Sequence, residues 1–240
     1  RGHDVVLFEK GESLGGTLND INKLSFKEDL LRYTNWMVDS TLTCGADIRL
    51  GAEATPEVVM RESPDAIVVA TGAKPVQVSI PGFDRENVVP VRDVDSGRVK
   101  VSGNVVVCGG GSSGCETALD LAMGGCKVTI VEKGPIDSFA HGMTHITRGM
   151  LIAQLESNGI ACLGEHVVLS VDDDGVHVGD PQWQEKVLKA DFVVNALGLR
   201  SMSAEPFVEL IPEVYVVGDC NRIGNIYRAN QSAFDCAMEL

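Results

Sequence analysis

The pattern of apolar and polar positions predicts short buried strands that alternate with amphipathic helices. Strand candidates are apolar runs rich in β-branched residues, at 4–8, 65–70, 105–108, 127–131, 187–190, 192–196 and 214–217. Helical candidates place apolar residues on one face, at 26–39, 144–157 and 227–240. Runs 167–171 and 176–178 flank a polar turn and predict an antiparallel hairpin. The alternation predicts an α/β fold with parallel, doubly wound, Rossmann-like units.

One stretch, residues 105–132, combines these elements with candidate chemistry. A strand runs into Gly109-x-Gly111-x-x-Gly114, a helix follows, and a second strand ends in Glu132. In such a motif the glycines permit the turn, the approach of a pyrophosphate and close helix packing. The helix N-terminus supplies free N–H groups, and the acid accepts hydrogen bonds from a ribose hydroxyl. The order of all five parts predicts a dinucleotide site rather than a glycine-rich turn without a ligand.

A weak internal repeat places a second acidic residue in the same context. Phe8-Glu9-Lys10-Gly11 matches Val131-Glu132-Lys133-Gly134, and each segment ends a predicted strand. Glu9 is therefore a second candidate ribose ligand, whose glycine motif would lie upstream of residue 1. The alternative is a solvated acid at a strand end. Gly15 and Gly16 follow, where the backbone could approach a ligand closely.

Composition narrows the classes of function. The chain has 240 residues, is 44% hydrophobic and carries a net charge of −14, so nucleic acid and anionic membrane surfaces are poor partners. No apolar run reaches the length of a membrane span. The seven cysteines contain no CxxC pair, so neither a dithiol centre nor an iron–sulfur loop is encoded locally. The odd cysteine count and the absence of a signal peptide favour the cytoplasm.

Several residues that could suggest a metal site or a catalytic nucleophile have a simpler explanation. His141 and His145 are four apart, but no third ligand is evident, so a solvated loop is favoured over a metal site. Ser112 and Ser113 begin a helix and are expected to donate to phosphate rather than to act as nucleophiles. The sequence predicts no metal site, and it offers no catalytic acid or base.

The ordered set of motifs resembles the two-dinucleotide-domain flavoproteins of the pyridine-nucleotide reductase group. Within that group the chain is most similar to the C-terminal half of the 2-enoate reductase and 2,4-dienoyl-CoA reductase family. The residues that carry the resemblance are Glu9, Gly15-Gly16, Ala70-Thr71-Gly72, Gly109-x-Gly111-x-x-Gly114-x-Glu116, Glu132, Ala196-Leu197-Gly198 and Gly218-Asp219. The absence of a dithiol disfavours the thioredoxin-reductase and lipoamide-dehydrogenase members of the group.

The resemblance implies a role for each of these residues. Glu9 would hold the adenosine ribose of FAD, Gly15 and Gly16 would let the backbone pass the flavin, and Thr71 and Gly72 would form a return loop. Asp219 would bond the ribityl chain. The nicotinamide cofactor would be served by Gly109, Gly111, Ser112, Ser113, Gly114, Glu116 and Glu132.

The cofactor expectation is NADH rather than NADPH. A carboxylate at Glu132 suits a 2′-hydroxyl and repels a 2′-phosphate. Lys133 should alternate away from Glu132, and the next arginine is Arg148. FAD is expected in the full-length protein. The resemblance places FMN and an iron–sulfur cluster only in upstream domains, with the FMN in a barrel of the same chain.

The predicted organisation is an FAD unit split around a nicotinamide unit. Residues 1–98 and 206–240 would form the FAD unit, truncated at its N-terminus, and residues 99–205 the nicotinamide unit. The resemblance implies the NADH-oxidising, FAD-reducing, electron-input portion of a multi-cofactor ene reductase, which is an oxidoreductase and a flavoprotein. The alternative is a catalytically silent nucleotide-binding module or a scaffold for a partner subunit.

Overall fold

The computed structural model describes residues 2–240, which divide into two compact units. Unit 1 contains the residues up to Gly16 together with Tyr33–Pro75 and Leu199–Leu240. Unit 2 contains Thr17–Arg32 and Val76–Gly198. The strands are β1 (Val6–Glu9), β2 (Asp47–Leu50), β3 (Ile67–Val69), β4 (Ala73–Pro75), β5 (Val88–Pro90), β6 (Asn104–Cys108), β7 (Lys127–Val131), β8 (Ala161–Leu163), β9 (Val167–Val171), β10 (Val176–Gly179), β11 (Glu185–Leu188), β12 (Phe192–Asn195), β13 (Leu199–Ser201) and β14 (Val214–Val216). The α-helices are α1 (Leu18–Ile21), α2 (Glu28–Leu42), α3 (Pro56–Met60), α4 (Val91–Asp95), α5 (Ser112–Met123), α6 (His145–Ser157), α7 (Glu205–Val208) and α8 (Ile226–Glu239).

Unit 2 is built on a five-stranded sheet in the order β5-β12-β6-β7-β8, with every neighbouring pair parallel. Its strands are apolar because both faces of the sheet are covered. On one face Val105 and Val107 pack with buried residues of α5 and α6. On the other face Val106 and Cys108 pack with the three-stranded antiparallel sheet β11-β10-β9. Alternate residues of β6 therefore belong to different cores, as the two-residue period of a strand requires.

In the part of unit 1 that the structure describes there are three two-stranded sheets. β1 pairs with β2 in parallel, β3 pairs with β14 in parallel, and β4 pairs with β13 in antiparallel orientation. A small core forms around Ile67 and Val69 of β3, against Phe207 of α7 and the buried Cys220. The N-cap of α3 is Thr55, whose hydroxyl accepts a hydrogen bond from the Val58 amide.

The predicted α/β fold class is confirmed, and most predicted elements lie within a few residues of the observed ones. β7 has the predicted bounds of 127–131, and the predicted hairpin is present as β9 and β10. The predicted strand at 187–190 is shifted toward its N-terminus, because Glu185–Leu188 adds to the edge of the hairpin as a third strand.

The unit boundaries differ from the predicted ones. β5 pairs with β12, so residues 76–98 belong to unit 2 rather than to the split unit. The segment Thr17–Arg32 also belongs to unit 2, whereas residues 199–205 belong to unit 1. The polar, glycine-bearing stretch 96–103, where the predicted boundary at 98/99 falls, lies inside unit 2. Among the helices of residues 2–240, none combines the length and apolar character that a bilayer crossing requires.

Candidate functional site

Each of the three glycines of the Gly109-x-Gly111-x-x-Gly114 motif is a glycine for its own structural reason. Gly109 and Gly111 lie in the turn after β6, and Gly114 lies in the first turn of α5. A Cβ on Gly109, whose φ is +115°, would lie 2.3 Å from the carbonyl oxygen of Ala196. A Cβ on Gly114 would lie 2.0 Å from the carbonyl oxygen of Gly109. Both glycines are therefore required by the packing of the chain itself. Gly111 differs, because it has a φ of −65° and nothing lies within 4 Å of the position of its Cβ. Open space at this glycine matches a place where a ligand approaches the backbone.

The first backbone amides of α5 are available to an anion. Gly111 is the N-cap of this helix and provides no side chain to bond them. Among residues 2–240, no acceptor is found for the amides of residues 111–114. Helix N-termini carry partial positive charge, and their free N–H groups bind phosphates. The open space at Gly111 and these amides lie side by side in the chain.

The carboxylate of Glu132 lies against the same turn. Its Oε2 accepts a hydrogen bond of 2.8 Å from the Gly110 amide, and its Oε1 accepts one of 2.8 Å from the Gly134 amide. Glu132 directly follows β7, the strand paired with β6, so the parallel register brings the acid to the glycine-rich turn. Each carboxylate oxygen retains acceptor capacity for a ribose hydroxyl.

The two serines that begin α5 have different surroundings. The Ser112 hydroxyl donates to the carbonyl oxygen of His141 at 3.2 Å, whereas Ser113 is exposed. The expected donation to phosphate therefore comes most directly from the backbone amides of both residues and from the Ser113 hydroxyl.

Glu116 makes an ion pair with Lys27. Its Oε2 lies 2.6 Å from the Lys27 Nζ, and the side chains are 20% and 14% exposed. A cofactor role for Glu116 would have to coexist with this pairing. Sequence reasoning missed Lys27, because it precedes α2 and is 89 residues from its partner.

A buried carboxyl group next to this ion pair was also missed. Asp95, at the end of α4, is 5% exposed, and its Oδ1 accepts a 2.6 Å hydrogen bond from the Thr117 hydroxyl. Burial raises the pKa of Asp95 to about 6, while the Thr117 hydrogen bond and the charge of Lys27 act in the opposite direction. No local sequence signal distinguishes it from the other aspartates.

Unit 1 repeats the geometry of Glu132 at Glu9. The Oε1 of Glu9 accepts a 2.7 Å hydrogen bond from the Gly11 amide. Within residues 2–240 its other oxygen has no protein donor, whereas the corresponding oxygen of Glu132 is bonded by the glycine-rich turn. Gly15 and Gly16 follow with φ values of +112° and +49°, in the left-handed region that favours glycine.

The remaining candidates of unit 1 meet at the carboxyl ends of β3 and β14. These strands are parallel neighbours, so Thr71 and Gly72 lie next to the segment of Asp219. The Thr71 hydroxyl and the Cys220 thiol are 3.1 Å apart. The Oδ1 of Asp219 accepts a 3.0 Å hydrogen bond from the Gly224 amide.

No group of three or more His, Cys, Asp or Glu side chains that could hold a metal ion occurs within residues 2–240. His145 begins α6, and both His141 and His145 are exposed.

Comparison with known proteins gives consistent matches. The sequence profile of the family described as pyridine nucleotide-disulphide oxidoreductase matches residues 53–209. An NADH oxidase of Thermoanaerobacter brockii is 34% identical over 100% of this chain and 38% of its own length. A cinnamate reductase of Clostridium sporogenes is 32% identical over 100% of this chain and 36% of its own length.

A solved structure agrees with these sequence relatives. A 2-naphthoyl-CoA reductase in complex with 2-naphthoyl-CoA matches 100% of this chain with a TM-score of 0.90 and 28% identity. The match covers 36% of that chain. The present chain thus spans little more than a third of the length of these three proteins.

Proposed function

Because this chain belongs to the pyridine nucleotide-disulphide oxidoreductase family, we propose that it is the NADH-oxidising, FAD-reducing portion of a multi-cofactor ene reductase. The enzyme would be of the 2-enoate or dienoyl-CoA type. The family and the matched relatives are NAD(P)H-dependent flavin oxidoreductases, so the enzyme class predicted from the sequence is confirmed.

The proposal rests mainly on the open space at Gly111, which adjoins free helix amides in the chain and follows the Gly110 amide bonded by Glu132. The pyrophosphate of NADH would lie on the amides of residues 111–114, where a Cβ at Gly111 would intrude. The adenosine ribose would bond the carboxylate of Glu132. Gly109 and Gly114 shape the turn, Ser112 and Ser113 supply donors, and Glu116 braces α5 through Lys27. Unit 2 is therefore the proposed nicotinamide unit.

Unit 1 is the proposed FAD unit. Glu9 would accept a hydrogen bond from the adenosine ribose, and Asp219 would bond the ribityl chain. At Gly15 and Gly16 the backbone would pass close to the flavin. Thr71 and Gly72 would complete the loop beside Asp219. The support for this assignment is the matching geometry of Glu9 and Glu132 and the clustering of Thr71, Gly72 and Asp219 at the carboxyl ends of the parallel strands β3 and β14.

Hydride transfer from a nicotinamide to a flavin requires no catalytic acid or base from the side chains of this chain. When both cofactors are bound, the nicotinamide supplies a hydride and the flavin accepts it. The residues named above bind, orient and exclude water, and none needs to act as an acid or a base for that transfer. A purely binding role for the protein fits a site in which the described candidates are glycines, hydroxyl groups and proposed ribose-binding carboxylates.

The rest of the proposed enzyme lies outside this chain. An upstream barrel with FMN and an iron–sulfur cluster would pass electrons to a carbon–carbon double bond. The support is that the matched relatives are much longer, and that two of them are named cinnamate reductase and 2-naphthoyl-CoA reductase. The cytoplasmic location stays a prediction.

A second candidate function is a nucleotide-binding module without activity, or a scaffold for a partner subunit. It would use the same glycine-rich turn, since binding alone needs nothing more than this geometry. The two candidates differ in whether the bound nicotinamide reduces the flavin.

The decisive experiment is anaerobic mixing of the full-length flavoprotein with NADH, followed by addition of an enoate such as cinnamate. The proposal predicts that NADH bleaches the flavin absorbance and that the enoate restores it. A Gly111→Val variant should lose the bleaching at the same NADH concentration, while Arg85→Met, a substitution elsewhere in unit 2, should keep it. Binding of NADH without any bleaching would establish the silent module instead.

A further inference from the structure

The loop between β7 and α6 covers the glycine-rich turn. Although they belong to a loop, Phe139 and Ala140 are both 0% exposed. Ala140 has a φ of +52°, a left-handed conformation that is uncommon for a residue other than glycine. Its amide donates to the carbonyl oxygen of Gly110 at 2.8 Å. Strained backbone of this kind persists only when the surroundings determine it, and it is concentrated at ligand sites.

Both backbone polar groups of Gly110 are hydrogen-bonded. Its N–H donates to Glu132, and its carbonyl accepts from Ala140 and, at 3.2 Å, from the Cys115 thiol. A Cβ at Gly110 would lie 2.9 Å from the Cβ of Glu132 and 3.0 Å from the Phe139 ring. The two backbone groups of Gly110 therefore couple the position of the 134–141 loop to the orientation of Glu132.

Arg148 fixes this loop from the first turns of α6. Its Nε donates to the carbonyl oxygen of Phe139 at 2.8 Å, and its Nη2 donates to that of Asp137 at 2.6 Å. No carboxylate within residues 2–240 forms an ion pair with Arg148. The planar guanidinium fork can bond two carbonyls at once, which the single ammonium of lysine reproduces poorly.

We propose that Arg148 is a positioning residue for the dinucleotide. By tying Asp137 and Phe139 to α6, it holds the 134–141 loop on the glycine-rich turn and keeps Glu132 in place for the adenosine ribose. Because its Nε and Nη2 are directed at loop carbonyls, its assigned role is to hold the loop and not to bind a 2′-phosphate. This inference rests on the proposed function, in which unit 2 binds NADH.

The test measures affinities of the full-length protein by calorimetry, using NADH, NADPH, ADP-ribose and nicotinamide mononucleotide as separate probes. We expect Arg148→Met to weaken NADH and ADP-ribose by about tenfold, which corresponds to about 1.4 kcal/mol. Binding of nicotinamide mononucleotide should not change, because that fragment lacks the adenosine. Arg148→Lys should recover part of the loss, and Arg85→Met, which removes an arginine paired with Asp173, should have no effect.

Kinetics and hydrogen exchange separate positioning from general stability. In anaerobic mixing, Arg148→Met should raise the NADH concentration that half-saturates flavin reduction and leave the rate at saturation unchanged. Amide exchange of residues 134–141 should accelerate, while that of β6 should not.

Each outcome has a definite meaning. If the wild-type protein binds neither NADH nor ADP-ribose, the proposed function fails. If it binds both and Arg148→Met binds them equally well, the positioning role fails and the proposed function stands. A selective loss of NADPH affinity would show that Arg148 serves a 2′-phosphate, which also contradicts the proposal. A fall in the saturated rate, with accelerated exchange throughout unit 2, would show a merely structural role.

Discussion

Glu9 and Glu132 occupy equivalent positions in the two units. Glu9 is the last residue of β1 and Glu132 directly follows β7, and both strands pair in parallel. Each glutamate accepts a hydrogen bond through Oε1 from the amide two residues later, at 2.7 Å and 2.8 Å. The weak sequence repeat around these residues therefore corresponds to a repeated local structure. The difference lies in the second oxygen, which meets the Gly110 amide in unit 2 and has no protein donor in the described part of unit 1.

The first prediction concerns Gly111→Val. The backbone at Gly111 is acceptable to any residue and the space beside it is open, so the protein should fold normally. The valine would occupy the space of the pyrophosphate, and NADH affinity should fall at least about tenfold, or about 1.4 kcal/mol. Calorimetry and thermal unfolding measure the two effects. The matched control is Gly114→Ala, whose Cβ would meet the Gly109 carbonyl and should destabilise the fold by about 1–3 kcal/mol. Unchanged NADH affinity in Gly111→Val would place the nucleotide elsewhere.

The second concerns cofactor choice. Wild-type protein should bind NADH more tightly than NADPH by about tenfold, since the carboxylate of Glu132 would face a 2′-phosphate with like charge. Glu132→Ala should bring the two affinities together in competitive titration. Glu9→Ala removes the equivalent carboxylate of unit 1 and should leave the ratio unchanged. Equal binding of both cofactors by the wild type would contradict this role of Glu132.

The third concerns flavin retention by the 240-residue chain expressed alone. No glycine-rich turn faces Glu9 among residues 2–240, in contrast to the bonded arrangement at Glu132. We expect the chain to emerge from gel filtration with substantially less than one FAD per molecule. The ratio of flavin to protein absorbance measures it. A full flavin spectrum after that step would show that unit 1 holds FAD without an additional glycine-rich turn.

The fourth concerns pH. Burial raises the pKa of Asp95 from 3.8 to about 6 in the folded protein, so the folded state binds more protons than the unfolded state between these values. This contribution to stability is complete below about pH 4 and is lost as the pH rises toward 6. Asp95→Asn removes the charge and retains an acceptor for Thr117, so it should raise the free energy of unfolding at neutral pH by roughly 1–3 kcal/mol.

Denaturant titrations at pH 4 and pH 7 provide the measurement for Asp95. The gain should be small at the lower pH, and Asp84→Asn, at an exposed aspartate of the same unit, should show no such dependence. A gain of equal size at both pH values would mean that the charge of Asp95 is not its cause.

The predicted family and fold class are confirmed, and the sequence patterns that predicted them each span only a few residues. The strand at 127–131, the glycine spacing and the acid that ends each repeat are encoded by residues a few positions apart. Dihedral freedom at glycine, apolar periodicity and helix capping act over such distances, so they are legible in the sequence. The roles of the individual site residues stay predictions.

The amino-acid sequence by itself determined the α/β fold class and the family, and it located the glycine-rich turn and both acids. Only the tertiary structure decided which unit receives Thr17–Arg32 and that β11 completes the antiparallel sheet. It also decided that Lys27 and Asp95 bond side chains of α5 and that Arg148 bonds the 134–141 loop. The physical reason is sequence separation. Lys27 and Glu116 are 89 residues apart, and no local propensity selects one ion pair among many equivalent charges until packing brings the two side chains together.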